Sequence, residues 1–199
     1  ARCMTERLRA VTLASSSPRR LTLLRSVGLE VTVVGSDYEE INELTAGGDP
    51  QDLALGHAKG KAAAAHASGP PVLVAADTIV VIDGVVLGKP RDEADARRML
   101  ALLSGREHIV HTAFVVQDRA AGTGAHGVES ARVRFVELGE ERINRYVATG
   151  EPMDKAGAYG IQGRGALNVA SVIGDFYTVM GLPLARLDQA FTALGYELL

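Results

Sequence analysis

The stretch that decides the fold is Val11-Thr12-Leu13-Ala14-Ser15-Ser16-Ser17-Pro18-Arg19-Arg20-Leu21. Its first four residues are a short apolar run of the kind that forms a buried strand. Ser17 then stands as N-cap with Pro18 at the first helical position, and Gly28 closes the helix so opened. A second strand is expected over residues 30–34, followed by the acidic loop Asp37-Tyr38-Glu39-Glu40. An Ala-rich helix is expected over 50–67, and an apolar strand over 72–76 that delivers Asp77-Thr78 at its C-terminal end.

Downstream, Ile79–Ile82 and Val85–Leu87 flank Asp83-Gly84, a strong two-residue hairpin signal. Asp92 caps a helix with the stripe Ala96, Met99, Leu100 and Leu103, ended by Gly105. Paired strands are expected over 108–117 and 128–136, helices over 140–148 and 184–194, and a strand over 167–173. Tyr146, Phe176, Tyr177 and Phe191 read as core. Strands alternating with helices, with two hairpins, define an α/β protein with a mixed twisted sheet flanked by helices. No internal repeat or separating linker is present.

Composition narrows the chemistry. The 199 residues carry a net charge of −3 and are 47% hydrophobic, which is ordinary globular composition. No apolar run approaches the roughly 18 residues of a membrane span. A slightly acidic chain without a basic stripe lacks the footprint of a polynucleotide-binding protein. The one cysteine, Cys3, has no intramolecular partner, and no signal-peptide pattern opens the chain, so cytoplasmic localisation is expected. Met4 reads as the native start, with residues 1–3 extraneous to it. Among 21 basic residues only four are lysines, Lys59, Lys61, Lys89 and Lys155. Where Arg supplies the general charge, a Lys marks a place for a compact ammonium, for example against phosphate.

Several motifs can be set aside. Gly122-Thr123-Gly124-Ala125-His126-Gly127 has the letters of a dinucleotide fingerprint but opens no helix, and reads as a hairpin loop. Gly56–Lys61 is one residue short of a P-loop, and Ala62 stands where Ser or Thr would meet magnesium. His108 and His111 are three apart in a strand, on opposite faces, and read as structural.

Ser15–Arg20 is different. Free N–H groups and the positive end of a helix, two guanidiniums and several hydroxyls converge there, which suits a polyphosphate. Asp77 emerges from a strand of an α/β sheet, where such folds present ligand-binding groups. Glu39 and Glu40 come from another strand end, and carboxylates brought together would hold a hard divalent cation. With Lys59, Lys89 and Lys155 to balance phosphate charge, this is equipment for attacking phosphorus with water.

These residues resemble the Maf family of nucleoside triphosphate pyrophosphatases. The resemblance rests on 14–20, Glu39-Glu40, Ala58-Lys59, Ala76-Asp77-Thr78, Gly88-Lys89-Pro90, Leu103-Ser104-Gly105, 152–163 and 179–183, and covers a single domain over 4–199. It implies two lobes around a central cleft, and hydrolysis of a nucleoside triphosphate between its α and β phosphates with Mg2+ or Mn2+. It also implies Asp77 as the proton acceptor, Ser17, Arg20, Lys59 and Lys89 as substrate-binding residues, and Glu40 with Asp77 as metal ligands. Arg19, Thr78 and Gln162 fall on positions that choose the base. Ser-Pro-Arg-Arg together with Tyr159-Gly160-Ile161-Gln162-Gly163 is similar to the branch acting on dTTP and UTP. A branch acting on 7-methylguanosine triphosphate and a non-catalytic regulator of septation are the alternatives. The resemblance further suggests a homodimer, and roles in nucleotide-pool sanitation and cell-division arrest. The family's Lys-Ala appears here as Lys59-Gly60, with Lys61 and His57 nearby, so two lysines compete for the phosphates. Asp77→Asn is expected to leave folding nearly intact and to remove most turnover.

Overall fold

Alternating strands and helices form in the computed structural model, in which residues 6–41, 44 and 48–199 are described. The reading of residues 1–3 and Met4 lies outside the described residues. In chain order the elements are β1 (Glu6–Arg7), β2 (Ala10–Ala14), α1 (Pro18–Ser26), β3 (Glu30–Val34), α2 (Pro50–Ala63), β4 (Val72–Ile82) and β5 (Val85–Leu87). There follow α3 (Glu93–Leu103), β6 (Glu107–Asp118), β7 (Thr123–Phe135), α4 (Glu140–Val147) and three 3-10 turns, Glu151–Asp154, Ala156–Ala158 and Gly163–Asn168. The chain ends with β8 (Val169–Ile173), α5 (Phe176–Met180), α6 (Leu184–Ala193) and β9 (Tyr196–Glu197). Among the described residues no helix is long and apolar enough to cross a membrane.

The main sheet has the order β3-β2-β4-β6-β7-β8, with β5 added to β4. Strands β3, β2 and β4 are parallel, because α1 and α2 carry the chain across between them, and the remaining pairs are antiparallel. A separate parallel pair, β1 with β9, joins the two ends of the described chain.

Period-two alternation along β4 divides the core. Val72, Val74 and Ala76 pack with Leu23 and Leu24 of α1 and with Leu187 and Phe191 of α6. Leu73, Ala75, Ile79 and Val81 pack with Ala54, Ala58 and Ala62 of α2. A third cluster joins Val80 and Ile82 to α3, α4 and Phe135. Truncating a fully buried leucine such as Leu13 or Leu100 to Ala would cost about 2–5 kcal/mol.

One strand differs from its sequence reading. Asp77 and Thr78 do not lie at a strand end; β4 runs on through them to Ile82, since its second half pairs with β6 on one side. On the other side β2 accompanies β4 only as far as Ala75, and β5 joins only at Val80. Among the described residues, that edge has no strand neighbour between these points. The Asp83-Gly84 turn that returns β5 has φ of 50° and 74°, the two positive values that a tight hairpin requires. Asp77 therefore sits just past the end of parallel pairing, at a gap in the sheet rather than at its rim. The glycine motif at 122–127 also differs: only Gly122 is in the turn and the rest is strand β7. Phe176 and Tyr177, read as core, are each 42% exposed because α5 is a single short turn at the surface, whereas Tyr146 and Phe191 are buried.

Candidate active site

The gap in the sheet opens into a cavity of about 480 Å³. Its wall carries five cationic side chains, Arg19, Arg20, Lys61, Lys89 and Lys155, against three carboxylates, Glu40, Asp77 and Asp154. The excess is positive, which suits an anionic ligand. Because β4 alternates, Asp77 is delivered to the α2 side and Thr78 to the α1 side of the same gap.

On the α1 side, Pro18 occupies the first helical turn and Ser17 is the extended N-cap residue. Ser17 is the N-cap as expected and lines the cavity, but its side chain makes no capping hydrogen bond. Ser15 holds the turn instead: its Oγ accepts from Ser17 N at 3.2 Å and from Arg20 Nη1 at 3.1 Å. The positive end of α1 is thus left facing the cavity.

Arg20 is 8% exposed and fully oriented. Its Nε donates to the Gly181 carbonyl at 2.8 Å, and its Nη2 to Thr78 Oγ1 at 3.0 Å. Thr112 Oγ1 donates to the Thr178 carbonyl at 2.7 Å, so its single proton is used, and the 2.9 Å contact with Thr78 makes Thr78 the donor to Thr112. Thr78 therefore fixes the guanidinium, and both of its bonds are committed to protein groups. Burial lowers the Arg20 pKa, opposed by Asp77 and Glu40, and the group stays a cation.

On the α2 side, His57 and Lys61 are one turn apart and share the face that carries Ala54, Ala58 and Ala62. Lys61 Nζ lies 2.6 Å from Asp77 Oδ1 and 2.6 Å from Glu40 Oε1. His57 Nδ1 lies 3.0 Å from Asp77 Oδ2, and its Nε2 lies 3.1 Å from the Ile41 carbonyl. Asp77 is 3% exposed. Burial alone would raise its pKa, but His57, Lys61 and Arg20 outweigh it and hold the carboxyl below the ordinary carboxylate range. Asp77 is therefore an ionised acceptor in a nearly dry setting. Each of its oxygens keeps capacity for a second hydrogen bond.

Three expected residues are not brought here; Glu39, expected beside Glu40, is exposed and absent from the cavity wall. Lys59 is exposed and absent from the cavity wall; two positions from both His57 and Lys61, it points off their helical face, and Lys61 takes its place. Gln162 is also exposed and off the wall, where Gly160 and Ile161 stand instead. Gly60, the residue between the two lysines, has a steric role of its own. A Cβ there would lie 2.1 Å from Tyr38 Cε2, so only glycine lets this ring lie against α2 beside the cavity. Helical phase from the buried alanines could have selected Lys61 over Lys59. The partnerships of His57 and Thr112 are long-range contacts that no local pattern encodes.

The segment 151–165 closes the far wall. Glu151 orders it by accepting from Arg164 N at 3.0 Å, Gly165 N at 2.9 Å and Tyr146 OH at 2.9 Å. Lys155 Nζ donates to the Glu151 carbonyl and to Asp154 Oδ1, both at 2.6 Å, and Arg19 Nη1 reaches Asp154 Oδ2 at 3.5 Å. Lys89 lines the opposite lip. Outside the cavity, His108 bonds Tyr159 OH at 2.7 Å and His111 bonds Ser130 Oγ at 2.7 Å.

Comparison with known proteins places the chain in a family. A model of the Maf-like protein family matches residues 10–194. The dTTP/UTP pyrophosphatase of Symbiobacterium thermophilum is 50% identical over 188 residues, covering 94% of this chain and 94% of that protein. Proteins of the same name from Moorella thermoacetica and Dictyoglomus thermophilum are 48% and 43% identical, covering 93% and 95% of this chain and 95% and 98% of their own lengths. The family match takes in every element from β2 to α6, and the chain belongs to the Maf-like protein family.

Proposed function

We propose that this protein hydrolyses dTTP and UTP between the α and β phosphates, releasing the monophosphate and pyrophosphate. The observation that carries the reading is Asp77, a buried ionised carboxylate facing a cavity rich in Arg and Lys at a helix N-terminus. The activity for which the relatives are named supports the choice of substrate.

In this mechanism Asp77 accepts the proton of the attacking water, and its low pKa keeps it ready to do so at neutral pH. Arg20, held by three partners, and Lys61 and Lys89 stabilise charge that develops on the phosphate oxygens. Ser17 and the first turn of α1 bind the phosphate chain. Arg19 and Thr78 act on base choice, Arg19 directly at the cavity mouth and Thr78 by orienting Arg20.

A divalent cation fits the donor set. Glu40 and Asp77 converge on one point, now taken by the Lys61 ammonium, and a hard cation such as Mg2+ or Mn2+ is commonly held by one or two carboxylates with water and substrate phosphates. When bound there it would neutralise phosphate charge.

The test is a product-resolved assay with Mg2+ or Mn2+ against dTTP, UTP, CTP, ITP and 7-methylguanosine triphosphate. Monophosphate with pyrophosphate from dTTP and UTP supports the reading. Preference for the methylated purine would move the chain to another branch, and tight binding without product would make it a regulator.

A further inference from the structure

His57 has no role in the mechanism above, yet it is 2% exposed and makes two hydrogen bonds that tie separate parts of the site together. One ring nitrogen meets Asp77 on β4. The other meets the carbonyl of Ile41, the residue directly after Glu40. The two contacts, 3.0 Å and 3.1 Å long, leave from opposite sides of one ring. We propose that His57 is a positioning residue that bridges β4 to the acidic loop and so fixes Asp77 relative to Glu40, an inference that rests on the function proposed above.

The geometry makes this bridge specific. Asp77 Oδ2 is held by His57 while Oδ1 is held by Lys61, so rotation about the carboxylate is blocked from both sides. Glu40 meets Lys61, an ammonium on a flexible stem, and Ile41 is exposed. The Ile41–His57 bond is therefore a further tie between the end of the acidic loop and α2, beside those that Ser36 Oγ and Asp37 N make to the Lys61 and Ala64 carbonyls. The Tyr38 ring, 5.8 Å from the imidazole and laid over Gly60, covers the bridge on the cavity side. A leucine at position 57 would fill similar space and remove both bonds. A glutamine could donate to one acceptor.

Two measurements test this. In a crystal structure of His57→Leu, the Asp77 carboxylate or the Glu40–Ile41 backbone should be displaced relative to the wild type; both unmoved would overturn the bridge. In steady-state kinetics with dTTP, His57→Leu should lower kcat at least tenfold with KM within about threefold, since Arg20 and Lys89 are untouched, and His57→Gln should recover part of the loss. His57→Leu with kcat within twofold of wild type would overturn the proposal, as would equal losses in both variants. If His57→Leu fails to fold, the structure and kinetics of His57→Gln decide. If the wild type turns over neither dTTP nor UTP, the functional reading fails while the crystal structures still judge the bridge.

Discussion

Lys61 Nζ stands 2.6 Å from Asp77 Oδ1, joining the second crossover helix to the middle of the central strand inside a cavity wall. With Lys61 12% exposed and Asp77 5% exposed at the side chain, the pair is largely shielded from solvent. A buried pair is weak evidence for stability but strong evidence of what breaking it would do, because either partner left alone is an uncompensated charge.

The two neighbouring lysines separate cleanly. Lys61→Ala should reduce kcat/KM for dTTP at least a hundredfold, since it removes a cation facing the phosphates and leaves Asp77 short of a partner. Lys59→Ala should stay within about twofold of wild type, being an exposed residue off the cavity wall. Steady-state rates of the two variants side by side check this.

Gly60 should resist a substitution that helix propensity favours. Ala in place of Gly in a helix interior is worth about 1 kcal/mol, but here its Cβ would meet the Tyr38 ring. Gly60→Ala should therefore bring no gain in Tm. The double variant Tyr38→Ala, Gly60→Ala should recover the gain relative to Tyr38→Ala alone, as thermal unfolding would show.

His108 should make stability fall with acid. Burial pushes its pKa down to about 4, and among the described residues its Nδ1 has no hydrogen-bond partner. Unfolded, it titrates near 6.5. The unfolded chain thus binds the extra proton first. The contribution is complete above pH ~6.5 and is lost as pH falls toward about 4, amounting to about 3 kcal/mol. Denaturant unfolding across this range should show the slope, and His108→Phe should flatten it.

Much of the fold was legible because its signals are local. Pro18, the Asp83-Gly84 turn, and Asp92 with its apolar stripe each fix an element by residues only a few positions apart. What was not legible depends on partners distant in sequence. Nothing near Val72–Ala76 says that β4 runs on to Ile82, because that extension is stabilised by β6, some thirty residues later. Nothing near His57 says that Asp77 and the Ile41 carbonyl meet its two ring nitrogens. At the site, Asp77, Arg20, Glu40, Lys89, Arg19, Thr78 and Ser17 do line one cavity, whereas Lys59 and Gln162 do not. The sequence order of motifs identifies strands and loops, but it does not say which side of a helix or turn faces inward.

The most direct measurement is dTTP turnover by wild type and Asp77→Asn with Mg2+, quantifying monophosphate, pyrophosphate and orthophosphate. Asp77 balances Lys61 and His57 in a buried setting, so its replacement costs stability and does not leave folding nearly intact as the sequence alone suggests. The variant should lose about 3 kcal/mol of stability, so the rates are compared well below its Tm. Wild type should yield equal monophosphate and pyrophosphate, and the folded variant should be slower by about 10²–10⁴-fold. Orthophosphate as the primary product, or a variant within threefold of wild type, would contradict the account.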